Sequence, residues 1–224
     1  MIVIQSAKLA KEALHTNDKC ICDRPVTTGR KKVTYNLLDL GFGPYSDYIK
    51  EMKKLISTHF ISSKNIQPFA IIRKEEVSRL IQKVSSLSSA SKLINLNKLV
   101  ISYASTDASR FSFGKRYNAE EVLGNKYHRL LHEVEDMFTA FFYNDYFPIF
   151  GNLLDKITGK SSRLERIFKE LDAFFEQIIN DHLGDNKLSS EDEDVVDFLL
   201  RLMNDNSFPF KITTDHIKAI FLVI

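Results

Sequence analysis

The chain has 224 residues, 44% of them apolar and 27% charged, with a formal charge of +2. That suits one large or two small soluble domains with a substantial buried core, and it excludes a disordered or fibrous chain. Acids and bases are interspersed, so no nucleic-acid stripe is implied, and no run approaches the roughly 18 apolar residues of a membrane helix. Cys20 and Cys22 cannot make a disulfide framework, and 17 Phe with no Trp predict a Phe-rich interior.

Residues 1–5 read as a short buried strand. A helix is expected over 6–16, with Leu9, Ala10, Ala13 and Leu14 on its inner face. Residues 23–44 are a long irregular connection rich in turn formers, a length that is usually functional inside a compact domain. Helices follow at 45–58, with Tyr45, Tyr48, Ile49, Met52, Leu55 and Ile56 in register, and at 65–87, with Phe69, Val77, Leu80, Ile81 and Val84. "SSLSSASK" reads as a Ser-rich loop, and Leu96, Leu99, Val100 and Tyr103 mark the buried face of the next helix.

The segment 120–142 is expected to bury Tyr127, Leu130, Leu131, Val134, Met137, Phe138 and Phe141. "NDYFPIFGNLLDKITGK" is a broken turn before a helix over 161–183 that carries Leu164, Ile167, Phe168, Leu171, Phe174, Phe175 and Ile178. The acidic run "SSEDED" opens a shorter helix where the macrodipole favours acids. Thr213, Thr214 and Asp215 start a last helix whose Ile217, Ile220, Phe221 and Ile224 share one face. No stop signal follows, so that face is expected to be uncovered and the chain poorly soluble. Both ends read as cut. On pattern alone the chain is mainly α, with little of any sheet.

Two groupings could hold a metal. Cys20 and Cys22, with His15, offer a two-thiol site, but a closed zinc site needs four ligands, and small apolar side chains packed behind a helix serve as well. His128 and His132 lie at i, i+4, yet Arg129 stands where the metalloprotease pattern needs Glu, so a solvated helix face is the simpler reading.

Several phrases, in this order, resemble plant microsomal cytochrome P450 monooxygenases of specialised metabolism. "SAKLAKEALHTND" and "DRP" are similar to that family's helix B and the loop after it, and "FGPYSDYIKEMKKL" to its helix C. "IQPFAIIRKEEVSRLI" resembles helix D, and "SRFSFGKRYN" the end of helix E. "NDYFPIFGNLLDKITGKSSRLERIFKELDAFFEQIINDHL" resembles the helix F to G junction, most closely in the branch that handles aldoximes. "FPFKITTDHIKAIFLVI" resembles the approach to helix I. The resemblance is collinear over 1–224 and implies a single partial catalytic domain, helices B to the start of I, truncated at both ends.

The resemblance implies a heme cofactor, insertion of one oxygen atom of dioxygen into a small hydrophobic metabolite, and electrons from NADPH through NADPH-cytochrome P450 reductase. It places the intact protein on the cytosolic face of the endoplasmic reticulum membrane, through an anchor not seen in this chain. The dioxygen segment and the heme-ligating cysteine are not matched here, so no catalytic residue and no metal ligand is assigned and the chain alone is expected to be inactive. In the family a Trp and Arg residues of helix C hold the heme propionates. Here Ile49 replaces the Trp, while Lys53, and secondarily Lys50, keep the charge without the bidentate fork. The resemblance carries substrate contacts over to Leu37, Leu40, Phe42, Phe138, Phe141 and Phe142, each of which, taken singly, reads more readily as core. Lys54 and Lys64 could meet the acidic reductase, or be plain solvated lysines. The runner-up is a non-catalytic helical protein that binds a partner or modulates a full-length relative; a pseudogene product is the third reading.

Overall fold

Ser6 starts the first helix: its hydroxyl accepts the Leu9 N–H at 3.2 Å. The computed structural model describes residues 3–59, 63–117, 122–184, 194–205 and 209–223. In chain order the helices are α1 (Ala7–Lys11), which widens into a π-helical turn at Glu12–Thr16, α2 (Asp18–Ile21), α3 (Thr28–Val33) and α4 (Asp47–His59). Then come α5 (Ser63–Ser89), α6 (Leu96–Phe113), α7 (Val122–Thr139) and a 3-10 turn at Tyr143–Asp145. The chain closes with α8 (Gly151–Ile157), α9 (Lys160–Gly184), α10 (Val195–Asn204) and α11 (Thr214–Phe221).

The amphipathic helix α9 is the centre of the packing. Its Leu164, Ile167, Leu171, Phe174, Phe175, Ile178 and Ile179 are all buried. Recurring every three or four residues, they present one long stripe to α3, α7, α8, α10 and α11. The Phe-rich interior is an edge-to-face network: Phe221 meets Phe113 at 5.2 Å and Phe175 at 5.3 Å, while Phe174 lies over Tyr127 at 5.6 Å. Such contacts accommodate large rings without wasting volume.

The expected uncovered last helix is corrected here. Ile217 and Ile220 are 0% exposed and Phe221 is buried, because α9 and α10 close over α11 from the other side. Ile224 lies outside the described residues.

Other expectations also shift. Residues 3–6 run as irregular chain into α1, and no strand occurs among the described residues; a strand needs an edge to pair with, and none is offered. The connection 23–44 is less irregular than expected, since α3 sits inside it. Helix α5 runs through the Ser-rich stretch to Ser89. In α6 Leu96 and Val100 are exposed, and the buried positions are Thr106, Ser109, Ser112 and Phe113. Core contact falls on its second half, where it meets α10 and small side chains let two helices approach. The broken turn after α7 contains α8. None of the described helices is long and apolar enough to cross a membrane.

Two polar clasps fix helix ends. Arg110 and Arg116 hold the buried carboxylate of Glu76 at 2.7 and 2.8 Å, tying α5 to the end of α6. Asp194 caps α10 by accepting the Asp197 N–H at 3.0 Å, and its other oxygen lies 3.0 Å from His182 Nε2 on α9. His182 Nδ1 faces the Ile178 carbonyl at 2.8 Å. Both ring nitrogens thus face acceptors, which suits the doubly protonated imidazolium. Burial by itself lowers the pKa of His182, but the hydrogen bonds to Asp194 and Ile178 outweigh it and the net shift is upward.

Candidate functional site

Helix α3 lies close against α7, and the contact depends on Gly29. A Cβ there would overlap the Met137 carbonyl oxygen and sit 3.1 Å from the Phe142 ring. The N-terminus of α3 is pinned by Asp145, whose Oδ1 accepts the Thr28 N–H at 2.8 Å and the Thr28 hydroxyl at 2.6 Å. Asp155 holds the same 3-10 turn from α8, accepting the N–H groups of Tyr143 and Asn144 at 2.9 and 3.0 Å.

The loop that leaves α3 is unusual. Tyr35, Asn36 and Leu37 have φ of 52°, 63° and 65°, a left-handed run that costs about 1–2 kcal/mol per non-glycine residue. It turns the chain so that Asp39 Oδ1 collects the N–H groups of Gly41 and Phe42, both at 2.7 Å. Phe42 then stacks on Phe138 of α7 with ring centroids 4.8 Å apart. Arg30 brackets the pair: its Nε donates to the Phe138 carbonyl at 3.1 Å, and its guanidinium lies 5.1 Å from the Phe42 ring.

Of the six residues expected to contact substrate, Phe42 and Phe138 meet directly. Leu40 is half-buried against the core, and Leu37 is half-buried in the left-handed turn. Phe142 is buried behind Gly29 as core. Phe141 lies beyond the end of α7, is 45% exposed, and stacks on Tyr146 at 4.9 Å, so the expectation that α7 buries it is corrected. Replacing Gly29 with Ala would force the two helices apart. A loss of about 1–3 kcal/mol is expected, read as a lower urea midpoint; an unchanged midpoint would deny the close approach.

On α4, Ile49 is 4% exposed and faces the core with Met52 and Ile56. Lys50 and Lys53 are exposed. Lys50 is loosely held by Asp47 at 3.5 Å, and Lys53 makes no ion pair among the described residues. Lys54 is exposed and pairs with Glu51 at 3.8 Å, and the Lys64 side chain lies outside the described residues. The two sulfurs do not resemble an enclosed iron ligand: Cys20 is exposed and Cys22 half-buried. Lys50 and Lys53 thus present exposed cations of the kind an anionic carboxylate could meet, and neither sulfur is placed as an enclosed iron ligand. His132 is exposed and lies 3.4 Å from Glu135, whereas His128 is half-buried and burial lowers its pKa; no group of three possible ligands among the described residues includes either.

His182, Asp194 and Asp197 are close enough to ligate an ion. Their hydrogen bonds to one another and to the capped α10 backbone already account for the arrangement. A cavity of about 300 Å³ lies elsewhere, between α5 and α6, lined by Phe69, Arg73, Tyr103, Asp107 and Phe111 among others. None of the substrate-contact residues lines it. Sequence reading missed Gly29, Arg30, Asp39 and the His182–Asp194 pair. Only Asp194 carried a local signal, an acid three residues before Asp197 at the head of an apolar run.

The family model described as Cytochrome P450 matches residues 1–224. The chain is 39% identical over 223 residues to the 6,7,8-trihydroxycoumarin synthase of Pastinaca sativa, covering 99% of this chain and 43% of that protein. It is 37% identical to the 5-OH-xanthotoxin synthase of Ammi majus, over 99% and 43% of the two chains. It is 33% identical to the 2-methylbutanal oxime monooxygenase of Manihot esculenta, again over 99% and 43%. A solved zebra fish cytochrome P450 structure with progesterone superimposes with a TM-score of 0.74 over 96% of this chain and 48% of that one, at 17% identity, a likeness of fold alone. This chain belongs to the cytochrome P450 family. It spans less than half the length of these relatives.

Proposed function

We propose that this chain carries the substrate roof and the propionate edge of a heme-thiolate monooxygenase. The reaction inserts one oxygen atom of dioxygen into a small hydrophobic plant metabolite. The observation that carries this reading is the Phe42–Phe138 stack, which joins the loop after α3 to the end of α7 in a chain whose family is shown. A flat aromatic wall of this kind suits a hydroxycoumarin, the class for which one relative is named, and tolerates an oxime.

Heme, when bound with a thiolate, activates dioxygen for insertion. Arg30 and Asp39 hold Phe42 in place, and the stacked rings exclude water from the face they cover. The exposed ammonium of Lys53 would hold a heme propionate, with Lys50 as the second candidate. Electrons come from NADPH through NADPH-cytochrome P450 reductase, whose acidic surface is met by Lys54, which is exposed, and by Lys64. The intact enzyme works at the cytosolic face of the endoplasmic reticulum membrane. The iron's thiolate comes from outside residues 1–224, and the chain by itself is inactive.

Hemin titration followed by a carbon-monoxide difference spectrum tests this. Hemin is expected to bind without a thiolate-type Soret band, and Lys53→Ala to weaken binding about threefold, the scale of one exposed ion pair. A thiolate-type band from this chain alone would overturn the assignment, and binding indifferent to both Lys53→Ala and Lys50→Ala would remove the propionate role. The covered α11 favours a second reading, a helical protein that binds or modulates a partner. A cooperative melt with no hemin binding at all would select it.

A further inference from the structure

Lys218, on α11, is 4% exposed. A lysine under the surface is costly unless its charge is matched. Its ammonium lies 2.8 Å from Asp172 Oδ1 and 2.6 Å from Glu176 Oε2, two carboxylates one turn apart on α9. Burial opposes the charge, but these two partners outweigh it and the pKa of Lys218 is raised. The same Asp172 oxygen accepts a hydrogen bond from the buried Tyr35 hydroxyl at 2.9 Å. Three separate stretches of chain therefore converge on one carboxylate oxygen: the loop after α3, helix α9 and helix α11.

We propose that Lys218, Asp172 and Tyr35 are positioning residues that clamp the roof loop, and so set where Phe42 stands over the substrate. This rests on the reading of Phe42 and Phe138 as the substrate wall. Tyr35 is the first of the three left-handed residues, a conformation that persists only where the surroundings hold it. Downstream, the Leu37 N–H donates to Thr34 Oγ1 at 3.1 Å, the Tyr48 hydroxyl donates to the Leu38 carbonyl at 3.0 Å, and Asp39 fixes the Phe42 N–H. The hold on Tyr35 is thus carried by the short backbone between it and Phe42, which separate hydrogen bonds fix at Leu37, Leu38 and Asp39. A methionine at 218 would fill similar space without the cost of burying charge. What the charge adds is direction, because Lys218 fixes the carboxylate oxygen that Tyr35 uses.

Amide hydrogen exchange on the 224-residue chain tests the clamp without depending on turnover or heme. With Tyr35→Phe, which keeps the ring against Phe168 and removes only the hydroxyl, the amides of Leu37, Gly41 and Phe42 are expected to exchange about tenfold faster. Lys218→Met is expected to do the same and Lys218→Arg to stay near the parent rate, while Ile178 and Ile179 in α9 keep their protection in all three. Unchanged loop rates in both Tyr35→Phe and Lys218→Met overturn the proposal. So does a rise spread evenly over loop and α9, which marks a general loss of stability. Loss of the monooxygenase reading would appear instead in the hemin spectrum, so the two failures are distinct.

Discussion

Replacing Phe174 with Ala is expected to lower the unfolding free energy by about 3–5 kcal/mol. Phe174 is 1% exposed. Its ring contacts Tyr117 at 5.4 Å, Tyr127 at 5.6 Å and Phe175 at 6.1 Å. Those neighbours are held by α7, α9 and the strap after α6, so they cannot collapse into the space a ring leaves. The loss combines missing transfer energy with an unrelieved cavity, and it is a large part of the roughly 5–15 kcal/mol that keeps a domain folded. Urea unfolding of the chain measures it. Phe174→Leu, which refills most of the volume, should lose distinctly less. A loss under about 1 kcal/mol for Phe174→Ala would mean that this aromatic cluster is not the packed centre of the fold.

The second large effect concerns the pair that joins α9 to α10. Asp194→Ala removes the partner of a buried imidazolium, a change that typically costs about 3–5 kcal/mol, and it also deletes the cap of α10. Asp194→Asn should cost less. The amide oxygen can still cap the helix, and the amide N–H can donate to Nε2 of a neutral imidazole.

The pH dependence separates the two roles. The folded pKa of His182 is raised above the ordinary imidazole value of about 6.5. Its contribution to stability is therefore fully present below about pH 6.5 and is lost as pH rises through the folded value. His128 and His216, both lowered by burial, act in the opposite direction below that value. The comparison belongs from about pH 6.5 upward, as the parent midpoint minus that of Asp194→Asn. That difference is expected to shrink as pH rises. A difference independent of pH would show that His182 is already neutral in the folded chain.

Much of the helical layout was legible from periodicity, because the spacing of apolar residues in a long helix repeats many times within one element. The stripe from Leu164 to Ile178 and the register of Ile49, Met52 and Ile56 needed no tertiary information. The first half of α6 misled for the same reason. Leu96, Leu99, Val100 and Tyr103 make an amphipathic pattern, but only the arrival of α10 decides which half of the helix is covered. Short helices such as α3 and α8 repeat too few turns to announce themselves.

The candidate site divides along the same line. Residue chemistry and phrase order were enough to single out Phe42 and Phe138, which the structure brings together, and Lys53, which is exposed on α4. The stack between the two rings, the bracket made by Arg30, and the sharing of Asp172 between Tyr35 and Lys218 were not legible. Their partners lie 96, 108, 137 and 46 positions apart in the chain. The sequence by itself determined the helical class and the family. Only the tertiary structure decided which faces are covered, down to the burial of Ile217 and Ile220, and which charges meet. Periodicity is a property of neighbours along one chain, whereas burial and ion pairing depend on what packs from elsewhere.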